Sequence, residues 1–208
     1  MTSFEGVYGP YSITAEDERE VLGYRLALFA AAVAQAALLW QWRQLGGSLL
    51  WPWLLPLLIG VGLALRWIHI YLRPLHRALQ LLWLLGCGGF VALAISAGPA
   101  GMAEAVARDP RWIWAIGPFF AALAGIGFKE FFCFRRPEAI GVTLLLPLAL
   151  LGALSGVLPA AASGSLLGVE AALLLVLTLR KFPMPAAADV GDKSVFAYLE
   201  AQRQQPEP

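Results

Sequence analysis

The feature that most constrains this chain is a series of apolar stretches, each long enough to cross a lipid bilayer. A spanning helix needs about 20 mostly apolar residues, because the hydrocarbon core is roughly 30 Å thick and each residue rises about 1.5 Å. Six stretches qualify, the last being the shortest: residues 22–42, 50–72, 78–96, 112–134, 140–158 and 165–179. They predict an all-α polytopic membrane bundle of about six transmembrane helices, with the lipid bilayer as its solvent.

Composition excludes several other classes of protein. Apolar residues make up 59% of the 208 residues and charged residues 14%, against roughly 45–50% and about 25% in soluble domains. An ordinary soluble enzyme and a disordered chain are therefore excluded. The net charge of +1 gives no field that would attract nucleic acid, so no nucleic-acid partner is expected. Two cysteines predict no disulfide framework.

Two polar tails flank the predicted transmembrane domain, residues 21–181. Residues 1–20 form an acidic tail without an apolar run, so the first span is expected to act as its own insertion signal. Within this tail, Thr14 and Asp17 have the spacing of a capping box and predict a helix that begins near Ala15. In the second tail, residues 182–208, we predict a short amphipathic helix over 192–204 that is capped by Asp192.

Basic and aromatic residues both indicate the orientation. With six spans, twelve of the fifteen Lys and Arg residues fall on the side of the two termini. The positive-inside rule therefore predicts that both termini are cytoplasmic. Tryptophan prefers the interfaces of a bilayer, and six tryptophans fall at the predicted outer interface: Trp40, Trp42, Trp51, Trp53, Trp112 and Trp114.

The densest cationic segment lies at the end of the second predicted span. If that helix continues to residue 72, Arg66, His69 and Arg73 share one helix face at the cytoplasmic boundary. Such a group of basic side chains at the cytoplasmic boundary suits an anionic lipid, a phosphate group or an acidic partner. The ordinary alternative is simple anchoring by basic side chains that extend toward water.

The two histidines are candidate cofactor ligands. Neutral imidazole binds haem iron or the magnesium of chlorophyll, so His69 and His76 carry an alternative prediction of pigment or haem binding. The sequence has no C-x-x-C-H attachment motif, and interfacial hydrogen bonding is the ordinary role. No Glu-x-x-His spacing indicates a metal site, so the main expectation is no cofactor and no metal.

Two acids lie inside apolar runs, where an ionisable residue is a candidate functional group. Glu130 and its neighbour Lys129 lie about one turn inside the end of the fourth span. We expect Glu130 to form an interhelical ion pair or contact site with Arg66 or Arg73. Glu170 lies about two turns into the sixth span, where it is protonated, paired across helices, or exposed if the span begins later.

Four short sequence blocks resemble a known family. They are ITAED at 13–17, VLGYR at 21–25, IHIY at 68–71 and GFKEFFCF at 127–134. Together they resemble an uncharacterised integral membrane family found mainly in cyanobacteria, the domain of unknown function 2301. The resemblance implies a bacterial inner membrane or a cyanobacterial thylakoid membrane, and a role near the photosynthetic apparatus. The family has no assigned activity, so it supplies no catalytic residues.

The sequence favours a non-enzymatic function. It contains no P-loop, G-x-S-x-G, H-E-x-x-H or dinucleotide motif, so no catalytic residue is predicted. We expect a scaffold, an assembly factor or an accessory subunit of a membrane-protein complex. The first alternative is a small transporter or channel with a polar path through four side chains: Gln35, Gln80, Glu130 and Glu170. The second is a haem- or chlorophyll-binding subunit that uses His69 or His76.

Overall fold

The structure is a computed structural model that describes residues 2–204, and it is mostly helical. A short β-hairpin precedes the helices, and two small helices follow the last apolar one. In chain order the elements are β1 (Thr2–Gly6), β2 (Gly9–Ile13), α1 (Ala15–Leu45), α2 (Trp51–Trp67), α3 (Arg73–Ala97), α4 (Met102–Arg108), α5 (Trp112–Phe134), α6 (Pro137–Leu154), α7 (Ala160–Leu179), α8 (Ala186–Val190) and α9 (Ser194–Gln204).

The predicted all-α membrane bundle is confirmed. Within the described residues, five helices (α1, α3, α5, α6 and α7) are long and apolar enough to cross a membrane. The sixth apolar helix, α2, has 17 residues, which span about 25 Å at 1.5 Å per residue and fall short of the hydrocarbon core. The count of six crossings stays a prediction that depends on α2.

The second predicted span ends earlier than expected. Instead of continuing to residue 72, α2 ends at Trp67, and Ile68 has extended backbone with ψ 133°. In this extended link Ile68 and Ile70 point into the core and are buried, whereas helical geometry would place them on different faces. The prediction that Arg66, His69 and Arg73 share one helix face is therefore wrong, because two helices and a link carry them.

Close helix packing depends on small residues. In the bundle, α1 packs against α2 and α7, α3 packs against α5, and α6 packs against α5 and α7. At Gly89 of α3, an added Cβ atom would collide with the carbonyl group of Ala115 in α5. Small residues of this kind let two membrane helices approach closely.

The N-terminal segment contains a β-hairpin that the sequence analysis did not predict. Strands β1 and β2 pair antiparallel, from Thr2 opposite Ile13 to Gly6 opposite Gly9. Gly9 has φ 129°, a conformation that favours glycine. The predicted start of α1 is confirmed: Asp17 N donates to Thr14 Oγ1 at 3.2 Å, and Thr14 N donates to Asp17 Oδ2 at 2.7 Å.

The two tails meet at one end of the bundle, which we call the tail end. Val7 N donates to Asp192 Oδ2 at 2.7 Å, and Lys193 Nζ lies 2.9 Å from Asp17 Oδ2. The rings of Tyr8 and Tyr198 stack with their centroids 4.0 Å apart. Both tails therefore lie on the same side of the bundle. The predicted C-terminal helix is present as α9, and residues 205–208 of that tail lie outside the described residues.

Candidate functional site

Charged side chains are buried at the tail end, where α1, α5, α7 and α8 meet. At the centre lies Glu130, which is 0% exposed. Its Oε2 accepts a hydrogen bond from Lys181 Nζ at 2.6 Å, and its Oε1 accepts from Tyr24 Oη at 2.6 Å and Lys129 Nζ at 3.2 Å. Side chains from three parts of the sequence thus surround one carboxylate.

The ion pairs continue from Lys181 toward α1. Lys181 Nζ also contacts Asp189 Oδ1 of α8, and Asp189 Oδ2 accepts from Arg25 Nε at 2.8 Å. The Arg25 guanidinium donates to the carbonyl oxygens of Met184 and Pro185 at 2.8 and 3.2 Å. Charges of opposite sign alternate along these five residues, which we call the charge chain: Lys129, Glu130, Lys181, Asp189 and Arg25.

Two aromatic rings enclose the lysines of the charge chain. Lys181 Nζ lies 4.5 Å from the centroid of the Phe134 ring and 5.2 Å from that of Tyr24. Lys129 Nζ lies 5.4 and 5.5 Å from the same two centroids. Because the charge chain holds three cations and two anions, the negative faces of these rings stabilise its excess positive charge.

The expected partner of Glu130 is wrong. Arg66 and Arg73 are both exposed, and Glu130 is paired with Lys129 and Lys181 instead. Arg66 lies on α2, whereas α5 packs mainly on α3 and α6. Arg73 lies in the first turn of α3 but is exposed, and the chain leaving α7 instead brings Lys181 Nζ to 2.6 Å from Glu130 Oε2. Lys129 and Glu130 are both buried, and the ion pair of Glu130 reaches Lys181, a residue beyond α7 that the sequence analysis did not name as its partner.

Sequence reasoning missed four members of this site. They are Tyr24, Arg25, Lys181 and Asp189. Only Tyr24 and Arg25 carry a signal in the sequence, since they interrupt an apolar run about one turn after its start. The basic residue Lys181 is indistinguishable in sequence from a boundary cation, and Asp189 lies in a polar tail.

The two candidate cofactor ligands both have partners within the chain. His69 Nε2 lies 3.4 Å from Glu20 Oε2. Burial lowers the pKa of His69 below its usual value, although the charge of Glu20 acts in the opposite direction. His76 Nε2 lies 2.7 Å from the carbonyl oxygen of Leu65 and 3.2 Å from Gln80 Nε2. These contacts suit hydrogen-bonding roles, and ligation of haem or chlorophyll stays a prediction that an absorption spectrum tests.

A second buried polar group lies in the middle of the bundle. Glu170 of α7 and Gln35 of α1 are 0% and 3% exposed, and Gln35 Nε2 donates to Glu170 Oε2. We call these two residues the mid-bundle pair. The structure therefore shows Glu170 paired across helices and not exposed, and its protonation state stays a prediction. Among the described residues, Glu170 Oε1 and Gln35 Oε1 have no hydrogen-bond partner.

Apolar side chains separate the mid-bundle pair from the charge chain. On α1, Leu28 lies between Tyr24 and Gln35, and on α7, Leu174 and Leu177 precede the charge chain; all three leucines are 0% exposed. The four side chains of the predicted polar path lie in three separate places. Gln80 bonds the carbonyl oxygen of Leu65, Gln35 contacts Glu170, and Glu130 belongs to the charge chain.

The outer surface of α5 carries two exposed phenylalanines. Phe128 and Phe132 are 47% and 75% exposed, and their rings stack with centroids 6.3 Å apart. Arg135 follows the helix with a left-handed backbone at φ 51°. Arg135 is exposed, as are three cations at the link between α2 and α3: Arg66, Arg73 and Arg77. We call these four the basic rim.

Metal binding finds no support in the part of the chain that the structure describes. No group of three or more His, Cys, Asp or Glu side chains there converges as metal ligands would.

Comparison with known proteins gives one match. A family model described as an uncharacterised integral membrane protein, DUF2301, matches residues 63–198. This region runs from the end of α2 into α9 and includes Lys129, Glu130, Lys181 and Asp189 of the charge chain. No curated protein and no solved structure matches the chain.

Proposed function

The chain belongs to the DUF2301 family of integral membrane proteins, and from that premise we propose that it is a non-enzymatic accessory subunit, scaffold or assembly factor of a larger membrane complex. The observation that carries this proposal is the stacked and exposed pair Phe128 and Phe132 on the outer surface of α5. Large aromatic side chains are enriched at the centres of protein interfaces, where they supply much of the contact area.

The charge chain supports a rigid body behind this surface. Its contacts hold α1, α5, α8 and the end of α7 together. Removing one partner of a buried pair leaves an uncompensated charge in a low dielectric, which costs about 3–5 kcal/mol. The back of α5 is therefore fixed, while Phe128 and Phe132 remain available to a neighbour.

The basic rim extends the proposed contact surface to the membrane boundary. Arg135 lies three residues after Phe132, and Arg66, Arg73 and Arg77 are exposed at the same tail end. Exposed arginines at this level bind anionic lipid headgroups or the acidic surface of a partner. We assign the Phe pair to partner packing and the basic rim to anionic groups at the boundary.

Site-specific photo-crosslinking in native membranes tests the Phe surface. A photoreactive amino acid replaces Phe132 in the full chain, and the matched control replaces Leu144 of α6, which is 59% exposed. We expect a protein adduct of defined mass at position 132, at least several-fold stronger than at position 144. Equal labelling by lipid alone at both positions would overturn the proposal.

A small transporter is the second candidate, and one observation favours it: Glu170 lies buried in α7, and one of its carboxylate oxygens has no hydrogen-bond partner within residues 2–204. The purified chain in proteoliposomes, under an imposed proton gradient, tests this function. If the wild type conducts protons and Glu170→Gln abolishes this flux, the transporter function would replace the scaffold proposal. A wild-type flux equal to that of empty liposomes would rule out the transporter.

For the location we propose the bacterial inner membrane or the cyanobacterial thylakoid, with both tails in the cytoplasm. The charge asymmetry and the contact between the two tails support this topology. Reporter fusions to each tail test the orientation, and fractionation of native membranes tests the location. A periplasmic signal from either tail would overturn the orientation.

A further inference from the structure

The mid-bundle pair lies where a charge is most costly. Glu170 is the eleventh of the 20 residues of α7, so it is about 15 Å from either end of a helix that matches the hydrocarbon core. It is also fully buried inside the protein. An ionised carboxylate at this depth needs a partner of opposite charge.

The structure provides no such charge. Among the described residues, no basic group lies within 4 Å of Glu170. Lys181 lies eleven residues further on, past the end of α7, and is held by Glu130 and Asp189. From α1 the group that faces Glu170 is the uncharged amide of Gln35, and the preceding polar residues of α7 are the uncharged Ser165 and Ser163. On α6, which also packs on α7, the ionisable residue is Glu138, which lies in the first turn and pairs with Arg180.

Two buried side-chain oxygen atoms at this site have no hydrogen-bond partner among the described residues. One is Glu170 Oε1 and the other is Gln35 Oε1, and they belong to side chains that already share one hydrogen bond. Buried polar atoms are almost always hydrogen-bonded. A single proton on Glu170 Oε1 would give both atoms a partner at once, because a carboxylic acid gains a donor that a carboxylate lacks.

We propose that Glu170 is a proton-binding site, in which the neutral acid donates from Oε1 to Gln35 Oε1 while its Oε2 accepts from Gln35 Nε2. The two side chains then form a cyclic acid–amide pair with two hydrogen bonds and no net charge. The proton comes from water and returns to water if α1 and α7 separate. Proton occupancy of this site is thus coupled to the contact between these two helices.

Infrared spectroscopy of the full chain in lipid nanodiscs tests the protonation state. At neutral pH we expect a carbonyl band of an un-ionised carboxylic acid, lost in Glu170→Gln and unchanged in Glu104→Gln, whose side chain is exposed on α4 and paired with Arg108. Absence of the band from the wild type at neutral pH would overturn the proposal. If Glu170→Gln fails to fold, Gln35→Leu should shift the band, because it removes the amide that contacts this acid, and an unshifted band would overturn the assignment.

Thermal unfolding over a range of pH tests the cyclic geometry. Glu170→Gln retains one donor and one acceptor and cannot ionise, so we expect a melting temperature near that of the wild type at neutral pH. At alkaline pH we expect the wild type to lose stability and Glu170→Gln to keep it. Gln35→Leu should lower the melting temperature at every pH.

A sodium ion is the competing occupant, since carboxylate and amide oxygens also bind cations. Melting of the wild type in sodium and in choline buffers separates the two. Equal melting temperatures support the proton, whereas stabilisation by sodium that is absent in Glu170→Gln would overturn it.

Discussion

The charge chain and the mid-bundle pair are two ways in which this bundle buries polar groups beside α1 and α7. The charge chain lies at the tail end and combines five acidic and basic residues with two aromatic rings and two backbone carbonyl contacts. The mid-bundle pair consists of one acid and one amide. The comparison indicates that depth in the membrane determines which kind of polar group can be buried. Charged groups are buried at the end of the bundle, where many partners reach them, and a neutral pair suffices deeper in the bilayer.

The two polar layers have the same spacing on α1 and along the segment that runs through and beyond α7. On α1, Tyr24 and Gln35 are eleven residues apart, and Lys181, two residues past the end of α7, lies eleven residues after Glu170. Eleven residues make about three turns and return to the same helix face. The antiparallel helices α1 and α7 therefore match polar group to polar group at two levels, with leucine and alanine between them.

The largest effect should come from removing the shared cation of the charge chain. In Lys181→Met, Glu130 keeps only Lys129 and Tyr24, and the buried anions Glu130 and Asp189 lose the ammonium between them. We expect a loss of about 3–5 kcal/mol of stability, measured by unfolding in detergent. The control Arg77→Met removes an exposed cation of the basic rim and should change stability by about 0.5 kcal/mol or less. Similar losses for both variants would show that the charge chain is not the stabilising layer.

A smaller effect should follow from removing one hydrogen bond to the central carboxylate. Tyr24→Phe keeps the ring beside Lys181 but deletes the hydroxyl that donates to Glu130 at 2.6 Å. Because the acceptor is charged, we expect a loss of about 1.5–3 kcal/mol. The matched control is Tyr198→Phe on the exposed helix α9, which should be nearly silent. If Tyr24→Phe left the stability unchanged, the two lysines alone would account for the stabilisation of Glu130.

Replacing the whole mid-bundle pair should cost little. Either Gln35→Leu or Glu170→Leu alone leaves a buried polar partner unsatisfied, at about 1–3 kcal/mol. In the double variant both polar groups are gone, and we expect stability within about 1 kcal/mol of the wild type. The double-mutant cycle measures this coupling. Additive losses would mean that the pair is not a closed unit, and the contrast with the charge chain would disappear.

The smallest effect should be a response to acid at the tail end. Burial places the pKa of His69 below its ordinary value, so the unfolded chain binds a proton first as the pH falls. The neutral His69 side chain therefore makes its full contribution to the free energy of unfolding above about pH 6.5. This contribution is lost as the pH falls below that value. Unfolding between pH 7 and 5 measures the slope, which His69→Gln should flatten. If stability instead rose on acidification, the pKa of His69 would be raised by the charge of Glu20 more than burial lowers it.

Periodicity and length predicted those features of the fold that depend on local sequence. The apolar helices, the capping box at Thr14 and the helix α9 all follow from residues close together in the chain. The early end of α2 was not predicted from the local sequence. The apolar run is typical of a continuous helix, but an extended link allows both Ile68 and Ile70 to be buried in the core. The β-hairpin was missed because its strands have five residues each and a weak alternation.

Predicting the candidate site requires knowing which helices are neighbours, and the sequence does not give this information. Glu130 was identified as a buried acid, but the correct partner, Lys181, lies 51 positions later and only packing brings it near. Glu170 was likewise singled out, whereas its contact with Gln35 bridges 135 positions. The residue types of both sites were therefore predictable, and their pairings were not.

The pairing of Arg25 with Asp189 also sets a delay during biosynthesis. The two residues are 164 positions apart, and chains grow at about 5–20 residues per second, so Arg25 waits about 8–33 s for its carboxylate. The first helix therefore cannot complete its buried contacts at the tail end until nearly the whole chain has been made.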